Sequence, residues 1–336
     1  MINRELIRLK TVQLVYAYYQ NEGKTLETAE KELTFSLEKA YDLYLYLLSL
    51  LVELRRAGER RDSARLAREQ RTGTVSETMT ADRLMAENHL LLQLEENEAL
   101  ADYRESRKEQ WPEEDAVVKK LYALCVESEA MAAYMEAGDY GYKPSRELVR
   151  KLYKTLVCDS DILDSMLEDH SLYWNDDKDV VDSFVLKTIK RFNEDSKPSQ
   201  PLLPEYAVDE DRDFAHTLFR TALERGPELR ELIRANTKNW EFNRLAFMDV
   251  VIMQVALAEI LTFDSIPLNV SFNEYLDIAS AYSTPRSASY INGMLDGIVH
   301  RLQQEGRTEK RRLTRETEKT TDKAAGKMAE EAAKED

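Results

Sequence analysis

Histidine and cysteine are the residue types in this sequence best suited to bind a metal ion, but their spacing indicates no metal site. The sequence has no HExxH motif, no pair of histidines at helical spacing and no CxxC motif. Structural zinc sites bring four such ligands close together. We therefore predict no metal, no cofactor and no disulfide framework, and we interpret the two cysteines as buried thiols in a reducing compartment. The residues are His89, His170, His216, His300, Cys125 and Cys158.

Catalytic chemistry is not indicated either. Gly23-Lys24-Thr25 resembles the end of a phosphate-binding loop, but Tyr18 stands where that loop needs a glycine. The sequence has no GxSxG elbow, and its acidic residues are too numerous for any pair of carboxylates to be informative. Because no nucleophile comes with a base and an orienting partner, we predict that the chain is not an enzyme.

Clusters of arginine and lysine are the features whose pattern suits a function, namely the binding of phosphate groups. Arg4, Arg8 and Lys10 lie in a first helix predicted over residues 2–20, where Arg4 and Arg8 are four residues apart and share a face. Residues 55–71 hold seven arginines against three acidic residues, and residues 301–315 hold six cations against two, so each stretch carries +4. We interpret residues 55–79 as a loop or solvated helix that serves either as a connector or as an auxiliary phosphate-contacting surface.

The total charge of the chain opposes nucleic-acid binding. The sequence has 47 Lys and Arg against 63 Asp and Glu, a formal net charge of -16. A phosphate backbone repels such a protein. Ionic screening nevertheless confines the field of a surface charge to ~8 to 10 Å, so local clusters matter more than the total. Any RNA-binding face is therefore expected to be small.

The composition is typical of packed helices, because only 10 Gly and 8 Pro accompany 43% apolar and 33% charged residues. Helices are predicted over residues 2–20, 26–54, 84–100 and 111–137, with Gly58 closing the second, and another begins at Pro144. The longest apolar stretch, residues 250–263, is shorter than the ~20 residues of a membrane span. We therefore predict an all-α, soluble and cytoplasmic protein without membrane contact.

Four segments are predicted along the chain. Residues 1–57 form N-terminal helices, residues 58–205 form a helical insertion with an arginine-rich connector and a Pro-rich linker, and residues 206–302 form a C-terminal helical region. Residues 303–336 nearly lack large apolar side chains and cannot offset their ordering entropy. They are predicted to be a charged tail, either a solvated single helix or disordered.

The last hundred residues carry the most specific pattern. The segments are Asp249-Val-Val-Ile-Met-Gln-Val-Ala-Leu-Ala-Glu259, Pro267-Leu-Asn-Val-Ser-Phe-Asn-Glu274 and Tyr290-Ile-Asn-Gly-Met-Leu-Asp296. In order and spacing they resemble the signature of the NusB transcription antitermination family. Val12-Gln-Leu-Val-Tyr16 resembles the core of that family's first helix. The resemblance covers about residues 1–24 and 211–302, so the stretch between them is interpreted as an insertion.

The resemblance implies an all-α fold of NusB-like packed helical bundles and a function without catalysis. NusB proteins bind the boxA element of nascent ribosomal RNA leaders together with NusE, a ribosomal small-subunit protein. Other Nus factors and RNA polymerase join them, and transcription becomes resistant to termination. The implied partners are therefore boxA-like RNA, NusE and the RNA polymerase antitermination complex.

The resemblance also implies site residues. Cations would pair with phosphates, and Tyr16 or Tyr290 could stack on an unpaired base, although Tyr16 suits a core aromatic equally well. Asn273 is interpreted as a helix cap or brace and Asn292 as a buried amide. The implied RNA-binding residues are Arg4, Arg8, Lys10, Tyr16, Arg286, Ser287 and Tyr290, and the implied partner-binding residues are Asp249, Glu259 and Glu274.

Two departures from the family pattern support an alternative function. Gln254 stands where the family commonly has arginine, and Ser280 stands where it usually has lysine. Each lost cation removes a phosphate contact. The alternative is a non-catalytic helical scaffold that binds protein partners and has lost most RNA binding. The two functions are distinguished by whether Arg4, Arg8, Lys10, Arg286 and Tyr290 meet on one exposed surface. If they do not, the scaffold alternative gains support.

Overall fold

In the computed structural model, residues 1–21, 23–73, 78–107, 111–237 and 244–310 are described. These residues form helices and no sheet, apart from one backbone bridge between Ile2 and Tyr206. The predicted all-α class is therefore confirmed. The helices are α1 (Arg4–Gln20), α2 (Leu26–Thr72), α3 (Ala81–Ala86), α4 (His89–Glu96), α5 (Glu98–Ser106), α6 (Trp111–Glu127), α7 (Glu129–Ala137), α8 (Tyr142–Leu152) with a π-helical turn (Tyr153–Val157) after it, α9 (Asp161–His170), α10 (Leu172–Asn175), α11 (Lys178–Arg191), α12 (Glu210–Glu224), α13 (Gly226–Asn236), α14 (Phe247–Thr262), α15 (Leu268–Tyr282) and α16 (Ser287–Gln304).

The chain divides into two compact units. The middle unit consists of Met1–Ile2 and Ser36–Ala207, and the terminal unit consists of Asn3–Phe35 and Val208–Asp336. The predicted boundary after residue 57 falls inside α2, whereas the division of the structure comes between Phe35 and Ser36. The predicted boundary after residue 205 lies close to the division after Ala207. The division between the two units therefore lies earlier along α2 than the predicted boundary.

The prediction that Gly58 ends the second helix is wrong. Helix α2 continues to Thr72, and Gly58 is buried within it. A Cβ atom at this position would lie 3.0 Å from the backbone oxygen of Asp82, 3.0 Å from Cβ of Met85 and 3.1 Å from the hydroxyl of Tyr122. Glycine is therefore needed for a close approach of neighbouring chain segments and not for a helix stop.

The helix predicted over residues 111–137 begins at Trp111 as expected but is interrupted. Helix α6 ends at Glu127, and Ser128 caps α7 by accepting a hydrogen bond from the Met131 amide over 3.1 Å. A serine at this position offers the backbone an alternative to continuing the helix. Gly138 ends α7 with a φ of 64°, which confirms the predicted end.

The Pro-rich linker is held against the middle unit. The side-chain amide of Asn97 donates hydrogen bonds to the carbonyl oxygens of Pro198 over 3.2 Å and Gln200 over 2.7 Å. Leu202 and Leu203 at its far end are buried, with exposed fractions of 7% and 6%. The segment is thus an ordered part of the middle unit that covers the junction of α4 and α5.

An ion pair is buried in the middle unit beside the π-helical turn. The Tyr153 hydroxyl donates to Oδ1 of Asp182 over 2.5 Å, and Nζ of Lys178 lies 3.2 Å from Oδ2 of Asp182. Lys178 also donates to the backbone oxygen of Cys158. Burial lowers the pKa of Lys178, but the charge and hydrogen bond of Asp182 raise it by more, so the net shift is upward. Lys178 therefore stays charged inside the protein.

The two thiols differ in burial but share a suppressed reactivity. Cys125 is buried and Cys158 is half-buried, and burial raises the pKa of each to about 12. Because the thiolate is the nucleophile and a free cysteine has a pKa of about 8.5, we expect both to react with iodoacetamide at pH 8 more than about a hundredfold slower than a free thiol. Mass spectrometry with and without urea measures this. Fast alkylation of the native protein would contradict it.

Helix α14 lies at the centre of the terminal unit. Helices α1, α12, α13, α15 and α16 all pack against it. Every residue from Asp249 to Ile260 is buried, because neighbours surround the helix on all sides. None of the described helices combines the length and the apolar character that crossing a membrane requires.

The charged tail is described only as far as Lys310. Helix α16 ends at Gln304, and Nη2 of Arg307 then lies 2.7 Å from Oε1 of Glu228 on α13. Lys310 is 8% exposed, and burial lowers its pKa. The rest of the predicted tail, residues 311–336, lies outside the described residues.

Candidate nucleic-acid interface

Three polar side chains interrupt the buried apolar surface of α14. Asp249, Gln254 and Glu259 have exposed fractions of 6%, 0% and 0%. At a rise of about 1.5 Å per residue, Asp249 and Glu259 lie roughly 15 Å apart along the helix axis. Buried polar groups require hydrogen-bonding partners. Each of the three therefore organises the residues around it, and together they position the predicted site residues of the terminal unit.

The Glu259 cluster comprises Glu259, Arg8, Glu274, Ser271 and Tyr275. Arg8 donates from Nε to Oε2 of Glu259 over 2.7 Å and from Nη2 to Oε1 over 3.1 Å. The hydroxyls of Ser271 and Tyr275 donate to the same carboxylate over 2.7 Å and 3.0 Å. Such a two-pronged arginine–carboxylate pair is the strongest ordinary ion-pair geometry. The cluster joins α1, α14 and α15.

The pKa shifts in this cluster follow from burial and charge. Burial lowers the pKa of Arg8, but the hydrogen bond and charge of Glu259 raise it by more, and the net shift is upward. Nη1 of Arg8 also lies 3.1 Å from Oε2 of Glu274, whose side chain is 31% exposed. Burial raises the pKa of Glu274, and the charge of Arg8 only partly opposes this. Arg8 therefore remains a buried cation held between two carboxylates.

Arg4 occupies a more open position on α1. Its Nε lies 3.0 Å from Oδ1 of Asp211, and its side chain is 41% exposed. The guanidinium carbon of Arg4 lies 5.0 Å from the ring centre of Phe214, which Arg8 also approaches to 5.5 Å. Lys10, by contrast, is buried with an exposed fraction of 2%. Among the three predicted cations of α1, Arg4 is the one that solvent reaches.

The Asp249 cluster comprises Asp249, Ser283, Thr284 and Ser287. Ser283 donates to Oδ1 of Asp249 over 2.5 Å, and Ser287 donates to Oδ2 over 3.0 Å. The Thr284 amide donates to the Ser287 hydroxyl over 3.2 Å. These bonds tie the turn between α15 and α16 to the first turn of α14. The turn presents Arg286, which is exposed, and Tyr290 is 36% exposed one turn further along α16.

Tyr16 on α1 and Gln254 on α14 lie where these two helices pack. The Tyr16 ring is half-buried, and its centre lies 5.4 Å from that of Phe247. Gln254 donates to the Tyr19 hydroxyl over 2.9 Å and to the carbonyl oxygen of Ala222 over 2.7 Å. The amide that replaces the family's arginine is thus used in packing between α1, α12 and α14.

The predicted site residues therefore fall into two groups. Arg4, Arg8, Glu259 and Glu274 lie near the end of α14, whereas Asp249, Ser287 and Arg286 lie near its beginning with Tyr290. The exposure that an RNA contact requires is present at Arg4, Arg286 and Tyr290 and is absent at Arg8, Lys10 and Ser287. Asp249 and Glu259, implied as partner-binding residues, are buried in this structure and hold the side chains around them. Asp249 is surrounded by Ser283 and Ser287, and Glu259 by Arg8, Ser271 and Tyr275.

Two asparagines were also misplaced by sequence reasoning. Asn273 is exposed in the interior of α15, and Asn292 is exposed on α16, so neither the helix cap nor the buried amide is found. Sequence reasoning also missed Asp211 and the hydroxyl pair Ser271 and Tyr275. The four-residue spacing of that pair on α15 was a usable signal, because it places both hydroxyls on one face.

The described residues offer no metal site, because no group of three or more His, Cys, Asp or Glu side chains among them is arranged to hold an ion. Hydrogen bonds to Asp249 instead hold a turn that carries the exposed Arg286, and the exposed Tyr290 follows in the first turn of α16. Such a pair can contact a phosphate and an unpaired base.

Comparison with known proteins gives the family. The "Transcription antitermination protein NusB" of Salinibacter ruber is 37% identical over 132 residues, which cover 38% of this chain and 82% of that protein. The chain belongs to the NusB family. The family model described as "NusB family" matches residues 182–300. This NusB match begins within α11, whereas the resemblance suggested a start near residue 211. The match does not include α1, which the resemblance had included.

Two further NusB relatives agree with this assignment. The protein of the same name from Geobacter sulfurreducens is 38% identical over 95 residues, covering 28% of this chain and 69% of that protein. The one from Chloroherpeton thalassium is 32% identical over 112 residues, covering 33% of this chain and 53% of that protein. No solved structure matches the chain. The NusB similarity thus accounts for about a third of the chain and leaves most of the middle unit without a counterpart.

Proposed function

We propose that this NusB-family chain is a non-catalytic, RNA-binding transcription antitermination factor that binds boxA-type RNA together with NusE during transcription of ribosomal RNA. The names of its relatives, each a transcription antitermination protein, support this role. The observation that carries the proposal is the turn between α15 and α16. Asp249 accepts hydrogen bonds from the turn, which carries the exposed Arg286, and Tyr290 follows in the first turn of α16.

The turn suits single-stranded RNA for a physical reason. Ser283 and Ser287 are held by one buried carboxylate, so ordering the turn on binding costs little. An exposed guanidinium pairs with a phosphate, and a half-exposed phenol ring provides a face on which a base can stack. Arg4 adds a further accessible cation on α1.

RNA binding by the terminal unit alone is expected to be weak. Arg8 is committed to Glu259 and Glu274, and Lys10 is buried, so two of the three cations on α1 do not reach a phosphate in this conformation. Each missing phosphate contact lowers both the affinity and its dependence on salt. Tight binding of RNA therefore requires a protein partner that adds contacts to the RNA, and we assign this part to NusE.

The proposal is tested by titrating the full chain with a boxA RNA oligonucleotide, with and without NusE. We expect weak binding alone and tighter binding with NusE, and a scrambled sequence as the control should bind less well. Absence of boxA binding in both conditions would overturn the proposal.

Arg286 and Tyr290 provide the matching mutational prediction. Arg286→Gln is expected to reduce the salt slope of boxA binding by about 0.7, the value for one phosphate contact on a single strand. Tyr290→Ala is expected to weaken binding by about 1 to 3 kcal/mol through loss of base stacking. The matched control is Arg234→Gln, because Arg234 is an exposed arginine of the same unit, 2.9 Å from Glu231. Equal effects of Arg286→Gln and the control would place the RNA elsewhere.

The second candidate function is a scaffold that binds NusE without RNA. Burial of Arg8 and Lys10 favours it, and the partly exposed carboxylate of Glu274 offers a basic partner an acceptor. The same titration separates the two, since a scaffold would bind NusE with unchanged affinity whether or not boxA RNA is present. Under reciprocal linkage, an RNA-binding factor would bind NusE more tightly when RNA is added.

A further inference from the structure

The last part of α2 carries an arginine face on the middle unit. The face consists of Arg61, Arg68 and Arg71, all of them exposed. At about 1.5 Å per residue it extends over roughly 15 Å of helix. This stretch has no counterpart in the NusB family match, which begins at residue 182. Its function is therefore open.

The acidic residues of this stretch are already occupied by other arginines. Arg65 lies 2.7 Å from Oδ1 of Asp62 and 2.7 Å from Oε1 of Glu69. Arg55 pairs with Glu59 over 2.8 Å. The hydrogen bonds to Asp62 and then to Glu69 raise the pKa of Arg65, as expected for a compensated cation. Arg61, Arg68 and Arg71 take no part in these pairs.

Two arginines at the start of the stretch, Arg55 and Arg56, also pair with one carboxylate outside it. Nε of Arg56 lies 2.7 Å from Oε1 of Glu95, and Arg55 donates to the other oxygen of that carboxylate. Both arginines hold the pKa of Glu95 below its usual range, although burial opposes this. The ion pairs among the described residues thus separate structural arginines from those of the arginine face.

The arginine face is also positioned and accessible. The guanidinium carbon of Arg61 lies 4.9 Å from the ring centre of Tyr122, and such a cation–π contact does not use the N–H donors. Arg71 is anchored by one bond from Nε to the carbonyl oxygen of Ala67 over 3.1 Å. Small exposed residues, Ser63, Ala64 and Ala67, lie between the arginines, so an extended backbone can approach closely.

We propose that the arginine face of α2 is a sequence-independent binding site for the phosphodiester backbone of RNA. The proposal takes RNA as the polyanion because it rests on the proposed function of the chain. Guanidinium groups pair with phosphates through paired N–H donors, and a row of them along a helix follows a phosphate backbone without reading bases. The insertion then adds affinity to a family fold whose own cations are partly buried.

An RNA backbone fits this face better than a protein or a lipid surface does. Protein interfaces have an apolar core, and membrane-surface helices have a broad apolar side. Within the described part of α2 after Gly58, Leu66 is the large apolar residue that is exposed, at 37%. The face therefore offers charge and hydrogen-bond donors with little apolar surface to bury.

The test compares two full-length variants with the same net charge. The first is Arg61→Gln/Arg68→Gln/Arg71→Gln, because glutamine is a good helix former and keeps α2 intact. The control is Arg83→Gln/Arg150→Gln/Arg225→Gln, which removes three partly exposed arginines that are paired with Glu87, Glu147 and Glu228. Circular dichroism checks the helix content of both. A double variant, Arg68→Gln/Arg71→Gln, leaves the stacking of Arg61 on Tyr122 unchanged.

The probe is a mixed-sequence RNA of about 30 nucleotides without boxA, as a single strand and as a duplex, titrated at several salt concentrations. We expect the triple variant to reduce the salt slope by about 2 relative to the control for the single strand, since each contact contributes about 0.7. The affinity should fall by more than about tenfold at 0.1 M salt. The double variant should show about two thirds of the change in slope. A reduced slope for the duplex alone also supports the site and assigns it to double-stranded RNA.

Equal salt slopes for the triple variant and the control, on both RNA forms, would overturn the proposal. It would be overturned in the same way if the triple variant bound RNA like the control but no longer bound a protein partner. A boxA titration of the same proteins keeps this result separate from the proposed function. Loss of boxA preference with a slope that still depends on the arginine face would overturn the boxA function alone. Retained boxA preference with equal slopes would overturn the arginine-face proposal alone.

Discussion

Glu259→Gln is expected to lower the free energy of unfolding of the terminal unit by about 3 kcal/mol. The carboxylate accepts four hydrogen bonds, two from Arg8 and one each from Ser271 and Tyr275, at a position with no solvent exposure. Glutamine offers one acceptor oxygen and turns a donor toward the remaining groups. Removing one partner of a buried ion pair leaves an uncompensated charge, which costs about 3 to 5 kcal/mol. Glu274 beside Arg8 places the expected loss at the lower end.

Amide hydrogen exchange measures this effect locally, because two compact units need not unfold as one transition. Peptides from α1, α14 and α15 should lose protection in Glu259→Gln. The control is Arg234→Gln at the exposed pair with Glu231, which is expected to cost less than about 1 kcal/mol. A Glu259→Gln variant as stable as this control would show that the buried network is not needed to hold α1 in place.

Asp182→Leu is expected to destabilise the middle unit by about 3 to 5 kcal/mol. Asp182 is 4% exposed and is the partner of both Lys178 and Tyr153. Leucine has the same branched side chain of four heavy atoms and leaves no cavity, so the loss comes from a buried ammonium and a buried hydroxyl without their acceptor. The nearest remaining carboxylate oxygen, Oδ1 of Asp164, lies 3.4 Å from Lys178 on a side chain that is 47% exposed.

A double variant sharpens the interpretation of this loss. Lys178→Met/Asp182→Leu replaces the whole pair with apolar groups and is expected to recover most of the stability, as replacement of other buried ion pairs has done. Asp164→Asn is the exposed control and should cost less than about 1 kcal/mol. Hydrogen exchange of peptides from α8 and α11 provides the measurement. If the double variant were as unstable as Asp182→Leu, the loss could not come from an unpaired buried charge. The ion pair would then be needed for the packing around it.

The Glu259 cluster has a consequence for function. In the terminal unit, Arg8 of α1 holds Glu259 of α14 and Glu274 of α15. Changing Arg8 therefore alters the fold and the candidate surface together. Arg286, Tyr290 and Arg4 are the residues at which a binding effect can be measured without a large loss of stability. Experiments on RNA binding that begin with Arg8 would confuse the two roles.

The sequence predicted the class of fold and the family well. The low content of glycine and proline and the three-to-four-residue spacing of apolar residues are local properties, and they indicated helices that the structure contains. The NusB signature between Asp249 and Asp296 was readable because its residues are close in sequence.

The positions of the helix ends were less predictable. Gly58 commonly marks a helix end, but here the neighbouring Asp82, Met85 and Tyr122 approach so closely that only glycine fits inside a continuing helix. Ser128 interrupts a periodic apolar pattern through a single capping hydrogen bond. In both cases contacts or caps outweigh a local preference of the chain, since each propensity contributes about 1 kcal/mol or less.

Which charged residues are accessible was decided by the tertiary structure alone. Arg4 and Arg8 are equivalent in sequence, four residues apart on one face of α1, yet Arg8 is enclosed by Glu259, Ser271 and Tyr275 while Arg4 remains 41% exposed. The sequence determined that cations line the first helix and the end of the second. Only the fold brings distant carboxylates next to some of them, because the partner of each buried charge lies up to 251 residues away along the chain.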